Sequence, residues 1–283
     1  MKLKNKKILL TGGHGFLGRH VYKALLKRGV PKENIYAPSS KDLDLRKWSN
    51  SIKATKGQDI VIHLAAKVGG IGLNRDKPAE LFYENALMGI QLIEAARLSG
   101  VEKFVTIGTV CAYPKNAPIP FREKSLWDGY PEEVTAPYGL AKKMMLVQGS
   151  TYFQQYGFKS IFLIPVNLYG PEDHFESEYS HVMPALIKRI VDAKKNNSKE
   201  IVVWGTGRAT REFLYVDDAA EAIILATEKY DKLDPVNLGS SREISIKRLV
   251  SIISKVVGYK GKIVWDKSKP DGVMRRKLNT AKA

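Results

Sequence analysis

Lys7-Ile8-Leu9-Leu10-Thr11-Gly12-Gly13-His14-Gly15-Phe16-Leu17-Gly18-Arg19 decides the fold. A short apolar run ends in a glycine-rich turn, and an apolar-periodic helix begins at Phe16. Glycine allows a tight turn and close backbone approach. The helix that follows offers free N–H groups and the positive end of its dipole. Strand, turn and helix together therefore form a cradle for a diphosphate, and Gly12, His14, Gly15, Phe16, Leu17 and Gly18 are its candidate residues. A glycine-rich turn alone is a weak signal; here its position at the head of an alternating strand–helix series supplies the required context.

Outward from this turn, strands are expected at 7–10, 34–37, 59–65, 103–107 and 160–165, and helices at 16–27, 79–98 and 137–156. The 59–65 run is apolar almost without a break, as in a strand buried on both faces. Such alternation implies right-handed βαβ units, hence an α/β fold with a Rossmann-type doubly wound parallel sheet. After Pro165 the rhythm loosens. The stretch 167–179 reads as a loop over the carboxyl edge of the sheet. Helices at 181–193, 218–230 and 245–257 and strands at 201–204 and 262–265 read as a smaller, partly interleaved substrate-binding lobe. The expected division is 1–165 for the dinucleotide-binding domain, with parts of 195–235 returning to it, and 166–283 mainly for the second lobe.

The 283 residues carry 46 Lys and Arg against 29 Asp and Glu, a formal net charge of +17. That excess suits nucleic acid, an anionic membrane, a polyphosphorylated small molecule, or simply a solvated lysine-rich surface. The lysines are scattered, with one local run at 194–199. No zinc-finger spacing, RNA-binding aromatic signature or arginine-rich arm accompanies them, which argues against nucleic acid. No apolar run approaches the roughly 18 to 20 residues of a membrane span. The basic-then-apolar start is too short in its apolar part for a signal peptide and reads as the first strand. One cysteine, Cys111, excludes an internal disulfide framework and fits a reducing cytoplasm. No metal site is expected.

The end of the second strand selects the dinucleotide. An NAD site usually places a carboxylate there for the ribose 2′-hydroxyl. Tyr36-Ala37-Pro38-Ser39-Ser40-Lys41 has none before Asp42. Ser39, Ser40 and Lys41, with His14, can receive a 2′-phosphate, so NADP(H) is favoured over NAD(H), and Asp44 and Leu45 would lie along the adenine edge. The second motif is Tyr138-Gly139-Leu140-Ala141-Lys142. Residues four apart on a helix share a face, so phenol and ammonium can meet at one cofactor. A nearby cation lowers a tyrosine pKa and suits it to proton exchange at a carbonyl. Alone the pair would be an ordinary surface pair; downstream of a dinucleotide turn it reads as catalytic.

These motifs are similar to those of the extended short-chain dehydrogenase/reductase superfamily: the TGxxGxxG turn, His63-Leu64-Ala65-Ala66 after a strand, the Tyr138/Lys142 pair, and Thr109 at the family's hydroxyl position. Within it the chain resembles the GDP-L-fucose synthases, the epimerase-reductases of GDP-4-keto-6-deoxymannose. That likeness is carried by Ala65-Ala66-Lys67-Val68-Gly69-Gly70-Ile71, Cys111-Ala112-Tyr113-Pro114, Asn167-Leu168-Tyr169-Gly170-Pro171 and the 181–189 segment. Trp204-Gly205-Thr206-Gly207, Arg211-Glu212-Phe213-Leu214, the 256–261 segment and Ser268-Lys269-Pro270-Asp271-Gly272 extend it almost to the C-terminus.

The resemblance implies a two-stage chemistry. A 4-keto group acidifies the hydrogens at C3 and C5, and the family's cysteine and histidine for epimerisation fall on Cys111 and His181. Hydride would then reach C4 while Tyr138 protonates the alkoxide, Thr109 holds that oxygen and Lys142 contacts the nicotinamide ribose. Leu64, Ala65, Ala66, Pro165, Asn167, Leu168 and His181 would line the cofactor. Arg189 and Arg211 would grip the GDP phosphates with planar guanidinium forks, and Asn167, Val182, Trp204, Lys269 and Asp271 would complete the GDP-sugar site. His63 reads as structural. The family usually has serine where Thr109 stands, and usually continues into a helical segment beyond 277–283. A homodimer through the 79–98 and 137–156 helices is typical of the superfamily. The alternatives are a reductase or epimerase alone on a related GDP-keto-sugar such as a heptose, or a non-catalytic NADP sensor.

Overall fold

Four apolar runs are buried along their whole length: β1 (Ile8–Thr11), β3 (Ile60–His63), β4 (Lys103–Ile107) and β5 (Ser160–Pro165). Strands without a solvent face must be covered on both sides. They form the middle of a six-stranded sheet completed at its edges by β2 (Ile35–Tyr36) and β9 (Val236–Leu238), in the order β2-β1-β3-β4-β5-β9. Every pairing in it is parallel. The computed structural model describes residues 1–175, 179–269 and 271–283.

Two groups of helices cover the sheet. α1 (Phe16–Lys27) packs with α7 (Val216–Lys229), and α2 (Trp48–Thr55) and α5 (Ala136–Tyr156) both pack with α4 (Pro78–Leu98). Right-handed crossovers put the two groups on opposite faces. Lys103 joins the layers: fully buried, its ammonium donates to the Thr227 and Tyr230 carbonyls at 2.7 and 2.6 Å and to Asp231 at 2.8 Å, at the C-terminal end of α7. The doubly wound parallel sheet read from the sequence is present.

A second core lies beyond β5. α6 (Val182–Lys195) and α8 (Ile246–Val257) contribute Leu186, Ile190, Leu249 and Ile253 to it. The parallel pair β7 (Glu200–Trp204) and β11 (Lys262–Asp266) adds Ile201 and Val203. β8 (Thr210–Tyr215) is the hub of a further sheet. It pairs in parallel with β6 (Asn167–Tyr169) and β12 (Arg275–Arg276) and antiparallel with β10 (Glu243–Ser245). The loop expected over 167–179 therefore begins as a strand, because Asn167–Tyr169 has β8 to pair with; its positions 176–178, like Pro270, lie outside the described residues. β8 itself escapes sequence pattern, since it carries the fully buried carboxylate of Glu212 in mid-strand. α2, α3 (Ile71–Asp76), β9, β10 and β12 are too short to show a period. Among the described residues no helix is long and apolar enough to cross a membrane.

Candidate active site

Strand order reverses between β1 and β3, and in such sheets the crevice beyond the strands' carboxyl ends is where ligands bind. Gly12, at the exit of β1, has a φ of +70°. A Cβ there would stand 2.7 Å from the Ala65 nitrogen, and one on Gly18 would stand 2.0 Å from the Gly12 carbonyl oxygen. These glycines let the exit of β3 and the first turn of α1 close on the loop. Gly15 begins α1 with no side-chain cap and no acidic residue in the first turn. Its free N–H groups are open to an anion. The Thr11 hydroxyl accepts from the Ala65 N–H at 3.2 Å and meets His63 Nδ1 at 2.8 Å. Burial, reinforced by the charge of Lys142, pushes His63 down to about 3. His63 is thus a neutral pin between β1 and β3, the structural part expected for it.

At the far end of this crevice His14 Nε2 donates to the Ala37 carbonyl at 3.0 Å, which carries the ring to the exit of β2. The first carboxylate after β2, Asp42, accepts from the Ser39 hydroxyl at 2.5 Å. Asp44 is clamped by the Arg46 guanidinium, which holds its carboxyl below the ordinary range. Ser40 and Lys41 are exposed, whereas Leu45 is buried in the main core. Leu64 and Ala65 pack half-buried against that core, with Ala66 half-buried beside them. Pro165 ends β5, Leu168 lies in β6, and Asn167 donates from its amide to the Glu212 carbonyl at 3.0 Å.

Four of the expected catalytic residues, Thr109, Cys111, Tyr138 and Lys142, come from two elements in unusually close contact. After β4 the chain makes a single 3-10 turn, Val110–Ala112, capped by the Thr109 hydroxyl, which accepts from the Cys111 N–H at 3.2 Å. α5 lies directly on that turn: a Cβ on Gly139 would stand 2.4 Å from the Cys111 carbonyl oxygen. Gly139 therefore sets Tyr138 against Cys111. Tyr138 clusters with Leu73 and Leu81, and Cys111 and Tyr179 pack against the cluster. Burial, with a charged Cys111 acting in the same direction, pushes the Tyr138 phenol up. Sequence reasoning anticipated the opposite, a phenol lowered by Lys142. With Lys142 itself buried, the loss of water outweighs a cation's help, and Tyr138 keeps its proton at neutral pH. Burial likewise lowers Lys142 to about 8.

His181 arrives from the other lobe. The Gly70 N–H donates to the Tyr179 carbonyl at 2.6 Å, and a Cβ on Gly70 would stand 2.5 Å from the Ser180 oxygen. The two glycines of 65–71 thus seat the 179–181 segment beside the Tyr138 cluster, and His181 begins α6. Surrounding protein lowers its imidazole, opposed by Asp173 and helped by His174, although His181 as a residue is exposed at the surface.

Of the other expected residues, Arg189 donates to the Val202 carbonyl at 2.7 Å and Val182 is exposed. Trp204 is exposed, with the Lys269 ammonium 5.9 Å from its ring centre. Asp271 accepts from the Thr206 N–H and hydroxyl at 2.7 and 2.6 Å, shaping the Gly205–Gly207 turn. Arg211 is pushed down to about 10 by burial and then by Arg276, against the pull of Asp271. Arg276 was not singled out from sequence. It donates to Cys111 Sγ at 3.6 Å across 165 positions, and an Arg-Arg-Lys run reads as solvated surface until topology brings it inward. Glu212 and Thr11 were also missed, although both sit in quoted motifs. Among the described residues no group of His, Cys, Asp and Glu could hold a metal ion.

A lysine lowered by burial binds fewer protons folded than unfolded. Its penalty is complete below pH 8 and disappears as pH rises towards 10.5. Lys142→Met should therefore stabilise the cofactor-free protein at pH 7 by on the order of 3 kcal/mol in urea denaturation. The gain should shrink between pH 8 and 10.5; no gain at pH 7 would refute the desolvated ammonium.

Comparison with known proteins agrees with this geometry. The model of the "NAD dependent epimerase/dehydratase family" matches residues 8–239. A probable GDP-L-fucose synthase 1 of Oryza sativa subsp. japonica is 40% identical over 282 residues, covering 99% of this chain and 85% of that protein. Among solved structures, a GDP-6-OMe-4-keto-L-xylo-heptose reductase from C. jejuni superposes with a TM-score of 0.90 at 28% identity, over 99% of this chain and 91% of that one. A GDP-L-fucose synthetase from Naegleria fowleri bound to NADP gives 0.86 at 29% identity, over 99% and 87%. The chain belongs to the NAD dependent epimerase/dehydratase family, among the extended short-chain dehydrogenase/reductases.

Proposed function

We propose that this protein is an NADPH-dependent epimerase-reductase of a GDP-4-keto-6-deoxy sugar, inverting C3 and C5 and reducing C4 to give GDP-L-fucose or a close relative. The observation that supports this most is the packing of Cys111, Tyr138 and the segment leading to His181 around one point. A reductase alone needs only Tyr138, Thr109 and Lys142; a thiol packed against Tyr138, with Tyr179, two residues before His181, in the same cluster, favours the epimerising reading. The names of the relatives agree with it.

The residues fit NADP(H). The uncapped start of α1 is free of acidic side chains, and the carboxylates after β2 are already engaged. Gly12, Gly15 and the first turn of α1 would hold the diphosphate, and His14, Ser39, Ser40 and Lys41 the 2′-phosphate. When bound, NADPH supplies the hydride for C4. Cys111 removes a proton next to the keto group and His181 returns one to the opposite face, so each inversion leaves the atom count unchanged. The charge developed on the keto oxygen would meet the Thr109 hydroxyl, whose oxygen already accepts from the Cys111 N–H. Tyr138 then transfers its proton to the C4 oxygen, and Lys142 is the nearby cation that eases its recharging. Arg189 and Arg211, both in the second lobe, would hold the GDP diphosphate. A base that must stay a free thiol suits a reducing compartment such as the cytoplasm.

Two variants separate the stages. Tyr138→Phe should abolish NADPH oxidation while still binding NADPH and exchanging solvent deuterium at C3 and C5. Cys111→Ser should stop that exchange. Wild-type oxidation in the first, or normal exchange in the second, would remove the residue from its stage.

We further propose a homodimer through α4 and α5. Both helices also keep large apolar side chains on the surface: Phe82, Tyr83 and Ile90 on α4, Val147, Phe153 and Tyr156 on α5. Sedimentation should give twice the 31.6 kDa chain mass. A monomer at micromolar concentration would contradict this.

A further inference from the structure

We infer that Arg276 is the positioning residue of Cys111: its guanidinium holds the sulfur and favours the thiolate form in which Cys111 takes a proton. The inference deepens the reading above, in which Cys111 is the epimerising base.

The contact is built rather than incidental. Arg276 lies in β12, opposite Arg211 of β8. Side chains alternate along a strand: Arg275 turns to Glu243, bonding it at 2.8 and 2.9 Å, while Arg276 reaches Cys111 Sγ at 3.6 Å. The backbone beyond is stitched to the core on both edges. Phe121 donates to the Lys277 carbonyl at 2.8 Å and accepts from the Asn279 N–H at 2.8 Å. The Leu278 N–H donates to buried Glu212 at 2.7 Å. Leu278 and Phe121 are themselves buried in the main core. Arg276 thus issues from a strand that cannot drift, at a fixed distance from the turn that carries Cys111.

The chemistry of the contact points the same way. No carboxylate among the described residues pairs with Arg276, whereas its neighbour Arg275 has one. A neutral thiol is a weak acceptor, so a guanidinium gains little by lying on it; the same contact to a thiolate is charge-assisted. A cation beside a cysteine is the usual means of making its sulfur reactive. Thr109 and Gly139 fix where the turn lies, and Arg276 fixes the charge that faces it. Removing Arg276 therefore changes the state of Cys111 while leaving the nucleotide turn intact.

The chain has a single cysteine, so alkylation by iodoacetamide reports on Cys111 alone and needs neither substrate nor cofactor. At neutral pH Arg276→Gln should slow alkylation on the order of fivefold to tenfold. Arg276→Lys, which keeps a cation, should recover most of the rate. Arg275→Gln, which deletes an equal charge bound to Glu243, should leave it unchanged. If Arg276→Gln does not fold, Arg276→Met carries the same comparison. Alkylation of the folded Gln or Met variant at the wild-type rate or faster overturns the proposal, as does equal slowing in Arg275→Gln, which would mean a general field. Slowed alkylation in an enzyme inactive on GDP-keto-sugars would fault the substrate reading and leave the Arg276 contact standing.

Discussion

The site depends on how closely α5 approaches the turn after β4. With the 2.4 Å that a Cβ on Gly139 would leave to the Cys111 carbonyl, no side chain fits at that position unless helix or turn moves. That approach places the phenol of one element against the thiol of the other and buries the lysine one turn further along. Thr109 finishes the arrangement by capping the turn with its own hydroxyl. Thr11, bonded to both His63 and Ala65, does the same for the nucleotide loop. Each of these candidate groups stands on backbone held by a glycine contact or a hydroxyl hydrogen bond, the kind of support that keeps a site within a fraction of an ångström of working geometry.

Burial sets the protonation states as much as neighbouring charge does. His63 is held neutral, Tyr138 is kept protonated, and Lys142 and Arg211 are both lowered in pKa by loss of water. Desolvating cations costs folding free energy, and a phosphate-bearing ligand that met Arg211 would offset part of that cost. Arg276, beside it on β12, meets the sulfur of Cys111.

Much of the first half was legible in the sequence because its strands are buried on both faces and its helices are long. α1, β4 and β5 have the bounds expected, and α4 and α5 begin one residue earlier. The turn at Gly12–Gly18 and the spacing of Tyr138 and Lys142 are local patterns that need no partner to be read. β8 was not legible, since Thr-Arg-Glu-Phe-Leu-Tyr alternates neither as a half-buried nor as a fully buried strand; Glu212 is buried only because backbone N–H groups of Ser241 and Leu278 receive it. Arg276 depends on β12 docking on β8, and no local signal carries that. The direction of the Tyr138 shift was missed for the same kind of reason: spacing reveals a nearby cation but not how dry its surroundings are.

The most direct measurement is the sugar configuration of the product formed from GDP-4-keto-6-deoxymannose and NADPH, read by NMR. The expected product has C3 and C5 inverted and C4 reduced, with one NADPH consumed per sugar. A product reduced at C4 with C3 and C5 unchanged would contradict the role given to Cys111 and His181, and no NADPH consumption at all would contradict the role given to Tyr138.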